Sequence, residues 1–249
     1  LVETPAGSFS GRALVNAAGP GADDAARLAG QEPGYRLRRV RGSHIITRKL
    51  FDHPYAYIFQ LPDTRICFAI PYEREFTLIG TTDRDHQGPL TGIEAQPDEV
   101  AYLCDAASRY FARPVAPSDV VRTYAGVRAL VDDGSGRPEA ATRGYRLPVS
   151  PPEDGAPMLT VLGGKITSYR HVAQAALDKL APLLGIAGSR WTAHEPLPGG
   201  GFAPDALADL AANFKAEHPF LDDEQAMRIA RAYGTDARAW LGNARSRAD

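Results

Sequence analysis

The sequence predicts a mixed α/β (α+β) protein, and three observations carry that class. A short apolar strand runs into a glycine turn and a helix near the start, strands of period two fill residues 35–82, and the stretch beyond Trp191 is helical in composition. With 249 residues, 44% hydrophobic and 23% charged, the chain has the make-up of an ordinary folded protein, which sets aside disorder, collagen and a coiled coil.

The formal charge is −2, so a protein that lives by gripping nucleic-acid phosphates is excluded, and any anion it binds is small. No apolar stretch approaches the ~18 residues of a transmembrane helix. Two cysteines, Cys67 and Cys104, stand in no metal-ligand spacing, which argues against a disulfide framework or a metal site and for a reducing compartment. The chain opens on Leu1 without a signal segment and stops after a helical pattern, and reads as a piece of something longer.

Taken in order, residues 12–16 read as a strand that ends in Ala17-Ala18-Gly19-Pro20-Gly21, with a helix over 22–28. Ligands gather at such units, where a strand end meets the free N–H groups of a helix start. Leu37, Val40, Ile45-Ile46, then 55–61, 66–70 and 76–79 follow as antiparallel strands, too closely spaced for β-α-β crossovers. Arg36, Arg38, Arg39 and Arg41 are either an anion-steering patch or, as the preferred reading, charge guarding a solvated strand edge. Pro97, Asp98 and Glu99 start a helix predicted over 97–112, with Val100, Leu103, Cys104, Ala107, Tyr110 and Phe111 in one stripe.

Further strands are predicted at 120–130, 145–149 and 158–162. The next helix starts after Gly163-Gly164-Lys165, carries Val172, Ala173, Ala176, Leu177, Leu180 and Leu184, and ends at Gly185. Helices over 205–217, 223–233 and 235–241 complete the chain.

Several of these places could carry chemistry. In Gly163-Gly164-Lys165-Ile166-Thr167, two glycines let a ligand approach the backbone, while Lys165 and the first helical N–H groups face it. It is not a phosphate-binding Walker loop, because Leu159 and Ile166 stand where that motif needs Gly and Ser/Thr. Arg128 and Arg143 are guanidinium candidates for a phosphate or carboxylate, although Arg128 also reads as an ion-pair partner of Asp132 or Asp133. His44, after a Gly-Ser turn at a strand end, is a candidate general base or a hydrogen-bonded packing residue. Gly80-Thr81-Thr82-Asp83 either touches a ligand or makes a turn.

Taken together, Val15-Asn16-Ala17-Ala18-Gly19-Pro20, Gly42-Ser43-His44, Ile79-Gly80-Thr81-Thr82-Asp83, Tyr124-Ala125-Gly126-Val127-Arg128, Thr142-Arg143 and Gly163-Gly164-Lys165-Ile166-Thr167-Ser168-Tyr169-Arg170 resemble the FAD-dependent (aerobic) glycerol-3-phosphate dehydrogenases in order and approximate spacing. The resemblance continues through Trp191-Thr192 to Leu241-Gly242-Asn243-Ala244. It implies a flavoprotein fold of the glycine- and D-amino-acid-oxidase type. Residues 1–34 would be a remnant of the FAD-binding, Rossmann-like domain, 35–118 an antiparallel-sheet substrate domain, 119–188 the return to the FAD domain, and 189–249 a C-terminal helical domain.

The implied activity is oxidation of sn-glycerol 3-phosphate to dihydroxyacetone phosphate, with electrons passing to FAD and then to quinone. The implied place is the inner face of a bacterial cytoplasmic membrane, bound peripherally, and the composition permits a homodimer. Carried over by position, His44 and Arg128 are the catalytic residues, His44 as the proton acceptor or its partner, and Arg128, Arg143 and Lys165 would bind the phosphate or the developing oxyanion. Asn16, Ala17, Ala18 and Gly19, with Gly163, Gly164, Lys165, Ile166 and Thr167, lie along FAD. No segment of Leu1–Gly11 supplies the Gly-x-Gly-x-x-Gly turn with which this family opens, so the chain by itself is expected to be inactive. The alternatives are a glycerophosphate oxidase, another 2-hydroxy- or amino-acid oxidase of the same fold, and a non-catalytic module derived from the enzyme.

Overall fold

The computed structural model describes residues 1–32, 34–132, 144–150 and 155–248 and divides the chain into two units, Leu1–Ala187 and Gly188–Asp249. In the first unit β1 (Val2–Thr4) and β2 (Gly7–Phe9) form a hairpin that no sequence signal above foresees. β3 (Leu14–Asn16) then leads through a 3₁₀ turn at Gly19–Gly21 into α1 (Ala22–Leu28), as the strand, turn and helix signals require.

The apolar positions from Leu37 onward fall in one long strand, β4 (Leu37–Arg48). β5 (Tyr57–Gln60), β6 (Ile66–Tyr72) and β7 (Phe76–Gly80) form the expected antiparallel meander against it. The two-residue β8 (Arg84–Asp85) resumes the pairing along the same edge of β4. The guarded-edge reading of the arginines is corrected here, because β4 is paired on both sides. Arg38 instead forms a bidentate pair with Asp85, at 2.6 and 2.8 Å, while Arg39 reaches Asp24 and Arg41 reaches Glu99.

α2 (Pro97–Ser108) covers one face of the sheet. Ile45, Cys67, Ala69 and Ile79 from the strands meet Leu103, Cys104 and Ala107 from the helix in the main core. Burying side chains of this size stabilises the unit by roughly 1.5–3 kcal/mol each. The helix stops four residues before the predicted end. The Ser108 hydroxyl donates to the Cys104 carbonyl and accepts from the Val115 N–H, a local alternative to helical bonding. Tyr110 and Phe111 therefore pack from the turn beyond, stacked on Phe59 and Phe51.

β9 (Val120–Val131) belongs to the same six-stranded sheet and pairs with the far edge of β4 from Leu37↔Val131 to Thr47↔Val120. The antiparallel sheet thus runs past the 118/119 division expected from the sequence. The strand predicted over 145–149 breaks in two, β10 (Tyr145–Arg146) and β11 (Val149–Ser150), at Pro148, which has no N–H to give a ladder. Its partner breaks likewise into β12 (Met158–Thr160) and β13 (Leu162–Gly163).

β12 runs parallel to β3, with Leu14↔Met158 and Asn16↔Thr160, so both strands deliver their carboxyl ends side by side. α3 (Tyr169–Leu184) follows and ends at Gly185, whose φ of 63° is left-handed. Ala176 and Leu180 pack on Leu147 and Leu159, whereas Ala173 and Leu177 of the predicted stripe face outward.

The second unit holds α4 (Leu207–Glu217), α5 (Asp223–Tyr233) and α6 (Ala237–Leu241) around Phe214, Ile229 and Leu241. Asp222 caps α5 by accepting the Gln225 N–H at 2.8 Å. No helix among the described residues is long and apolar enough to cross a membrane.

Candidate active site

Side chains alternate along a strand, so His44, Gly42 and Val40 share one face of β4, opposite the face that meets α2. Their partners on β9 are Tyr124, Gly126 and Arg128. On the other side His44 faces Gly80, which in turn faces Phe68. One row across four strands therefore reads Phe68, Gly80, His44, Tyr124, with Arg128 two pairs further along.

The glycines make room for the functional groups. A Cβ on Gly80 would overlap the His44 ring, and one on Gly42 would stand 2.5 Å from Arg128 Nη2. A Cβ on Gly126 would meet nothing within 4 Å, so the face between Tyr124 and Arg128 is open. The imidazole stacks on the Tyr124 ring, centroids 4.7 Å apart. His44 Nδ1 is buried with no hydrogen-bond partner among the described residues. Burial, and then the charge of Arg128, pulls the His44 pKa below its ordinary value and favours neutral imidazole.

Arg128 is gathered by the segment after β7. Nη1 donates to Asp83 Oδ1 at 2.7 Å and to the Thr82 carbonyl at 3.4 Å, and Nη2 donates to Thr81 Oγ1 at 3.0 Å. The suggested pairing with Asp132 is corrected, because four residues along a strand span ~13 Å. Asp133 lies outside the described residues. On the α2 side of the same place Glu99, 2% exposed, accepts from Arg41, from the Thr82 hydroxyl and from the Gln96 N–H. Burial pushes its carboxyl upward, but those donors outweigh it and its pKa lies below the usual glutamate value.

The two glycine turns stand together at the other end of the long ladder. Arg39 Nε donates to the Pro20 carbonyl at 2.8 Å, and a Cβ on Gly163 would touch Val131 at 3.3 Å and the Gly144 carbonyl at 2.5 Å. Asn16 is buried and spends its side chain on the turn itself, with Nδ2 donating to the Ala22 carbonyl and Oδ1 accepting from the Ala18 N–H. What Asn16, Ala17, Ala18 and Gly19 present outward is therefore backbone. Gly163 and Gly164 take φ of 67° and 88°, and Ile166 and Lys165 are exposed at the entry to α3. Lys165 makes no ion pair among the described residues.

Those features fit a dinucleotide flavin. Left-handed glycines, a helix start and a free ammonium suit its pyrophosphate and electron-poor ring, and an exposed isoleucine offers an apolar surface to a flat ring system. Thr167 is exposed on the same turn. Arg143 lies outside the described residues. Sequence reasoning missed Asp83, Tyr124 and Glu99 as neighbours of these groups. The signal available was the glycine recurring at alternate strand positions, 42 beside 44 and 126 beside 124 and 128, which clears one face for the larger side chains.

A family model described as FAD dependent oxidoreductase matches residues 1–170. The chain is 44% identical over 240 residues to the glycerol-3-phosphate dehydrogenase of Pseudomonas aeruginosa, covering 94% of this chain and 45% of that protein. It is 39% identical over 241 residues to the aerobic glycerol-3-phosphate dehydrogenase of Escherichia coli, covering 95% and 47%. The chain thus spans a little under half the length of these relatives. Its fold superposes on the glycerol-3-phosphate dehydrogenase from Bacillus halodurans, solved with FAD, with a TM-score of 0.74 at 26% identity, over 90% of this chain and 43% of that one. With two thirds of its length matched by the family model, the chain belongs to the FAD-dependent oxidoreductases.

Proposed function

We propose that the whole protein oxidises sn-glycerol 3-phosphate to dihydroxyacetone phosphate. The observation that carries this reading is the shared sheet face on which glycines 42, 80 and 126 leave room for a neutral His44 beside a cationic Arg128. A secondary alcohol bearing a phosphate needs those two groups: a base for the hydroxyl proton and a cation for the anion. The relatives named above act on this substrate by their names.

FAD, when bound, supplies the two-electron acceptor for the hydrogen on C2. His44, uncharged at neutral pH, takes the proton of the C2 hydroxyl as the carbonyl forms. Arg128 holds the phosphate or the developing oxyanion, with Lys165 and Arg143 as the further cations. Asn16 to Gly19 and Gly163 to Thr167 hold the cofactor through backbone N–H groups and the start of α3. Electrons then pass to quinone, with the protein peripheral on the inner face of a bacterial cytoplasmic membrane and acting as a homodimer.

The test is anaerobic addition of glycerol 3-phosphate to the flavin-loaded whole protein, followed by air or a soluble quinone. Bleaching of the flavin, with recovery by quinone, is expected. Arg128→Ala and Lys165→Ala should each raise the substrate concentration needed by at least tenfold, as for loss of a charge-assisted contact of roughly 1.5–3 kcal/mol. A flavin that stays oxidised rejects the substrate, and recovery by air alone rejects the quinone.

A further inference from the structure

Pairing between β4 and β7 stops at His44↔Gly80 and resumes between β4 and β8 at Arg41↔Arg84. Residues 81–83 leave the ladder in between, and Thr82 replaces it with its side chain. The Thr82 hydroxyl gives its proton to Glu99 Oε1 at 2.7 Å and so turns a lone pair to the Ser43 N–H, 2.9 Å away. The Thr82 N–H returns to the Ser43 carbonyl at 3.3 Å. Ser43 precedes His44, and among the described residues the segment carrying Thr82 supplies the hydrogen-bond partners of the Arg128 guanidinium through Thr81, Thr82 and Asp83.

Glu99 divides its oxygens accordingly. Oε1 serves Thr82, while Oε2 takes Arg41 at 2.9 Å and the Gln96 N–H at 3.0 Å. A buried ion pair of this kind is weak ground for stability alone, since apolar residues of like volume commonly do as well. Its geometry supplies another use. We propose that Glu99 and Thr82 are positioning residues that set His44 and Arg128 from the opposite face of the sheet, one through Ser43 and the other through residues 81–83. The inference rests on the roles given above to His44 and Arg128.

The experiment uses the flavin-loaded whole protein and the variants Thr82→Val, Thr82→Ser and Glu99→Gln. It reads FAD content, thermal unfolding, kcat and KM for glycerol 3-phosphate, and the titration midpoint of the His44 imidazole by NMR. Thr82→Val keeps the shape and loses the hydroxyl. It should lower kcat/KM by ~10–100-fold, as displacements of about an ångström do, with FAD content unchanged and the His44 midpoint moved. Thr82→Ser, which restores the hydroxyl, should return both readings to near wild type.

If Thr82→Val does not accumulate folded, Glu99→Gln decides. Its amide oxygen still accepts from Thr82 but no longer holds Arg41 by charge, so a smaller loss in kcat/KM with a shifted His44 midpoint is expected. A melting temperature that falls while kcat/KM and the His44 midpoint stay at wild type overturns the proposal and leaves the pair structural. Should wild-type protein not oxidise glycerol 3-phosphate at all, the substrate reading fails, and the His44 midpoints still decide the positioning.

Discussion

The imidazole of His44 lies flat on the ring of Tyr124, the planes 7° from parallel, because the two residues are directly paired across β4 and β9. The stack fixes the plane of the imidazole, and burial with the neighbouring Arg128 keeps it uncharged. The linkage has a definite sign. A histidine with a depressed folded pKa leaves stability whole above its unfolded value of about 6.5 and removes it as the pH falls toward the folded value. Wild type should therefore lose thermal stability relative to His44→Asn only below about pH 6.5. Arg128→Ala should raise the His44 midpoint seen by NMR, since one cause of its depression is gone. A midpoint that stays put in Arg128→Ala, or lies above the ordinary histidine value in wild type, would refute the account.

The glycines of the site face offer a second prediction, because identical substitutions should have opposite consequences. Gly126→Ala adds a methyl where nothing lies within 4 Å. Replacing a strand glycine is then neutral or stabilising by up to ~1 kcal/mol, while the methyl stands between Tyr124 and Arg128 and should raise KM. Gly80→Ala drives its methyl into the His44 ring. It should cost ~1–3 kcal/mol as overpacking does and should move the His44 resonances off their wild-type positions. Denaturant unfolding of the two variants side by side checks this. Equal losses of stability would mean that the face is not cleared around His44 in the way described.

Much of this architecture was legible in the residues. Period-two runs located β4 to β7, and Gly185 marked the end of α3, whereas the predicted end of α2 overran Ser108 by four residues because a side-chain hydroxyl bond, not a Gly or Pro, ends it. The association of His44 with Arg128 came from the family resemblance alone, since their clustering depends on the register of β4 against β9, 84 positions apart in the chain, and no local signal sets that. The arginine run misled for the same reason. Charged residues on a strand look like an edge until the acids that meet them are seen, and Asp85, Asp24 and Glu99 come from three different elements. Pro148 could have been read correctly, as a proline inside a predicted strand marks a break.

Cys67 gives the last prediction, which reports on the core rather than the chemistry. It is fully buried between β6 and α2, and burial pushes its thiol up to about 11. At pH 8 only about one thiol in a thousand would be ionised even if a reagent reached it. Native protein should therefore leave the Cys67 peptide unmodified by iodoacetamide over an hour, as judged by mass spectrometry, whereas denatured protein is labelled at once. Reaction in the native state requires the sheet and α2 to part, so its rate measures that opening. Leu103→Ala removes a fully buried side chain from the same core at a cost of ~2–5 kcal/mol. It should accelerate labelling of Cys67 by at least tenfold, each ~1.4 kcal/mol of opening free energy being a factor of ten. Rapid labelling of wild type, or a Leu103→Ala rate equal to it, would show that α2 is not what shields the thiol.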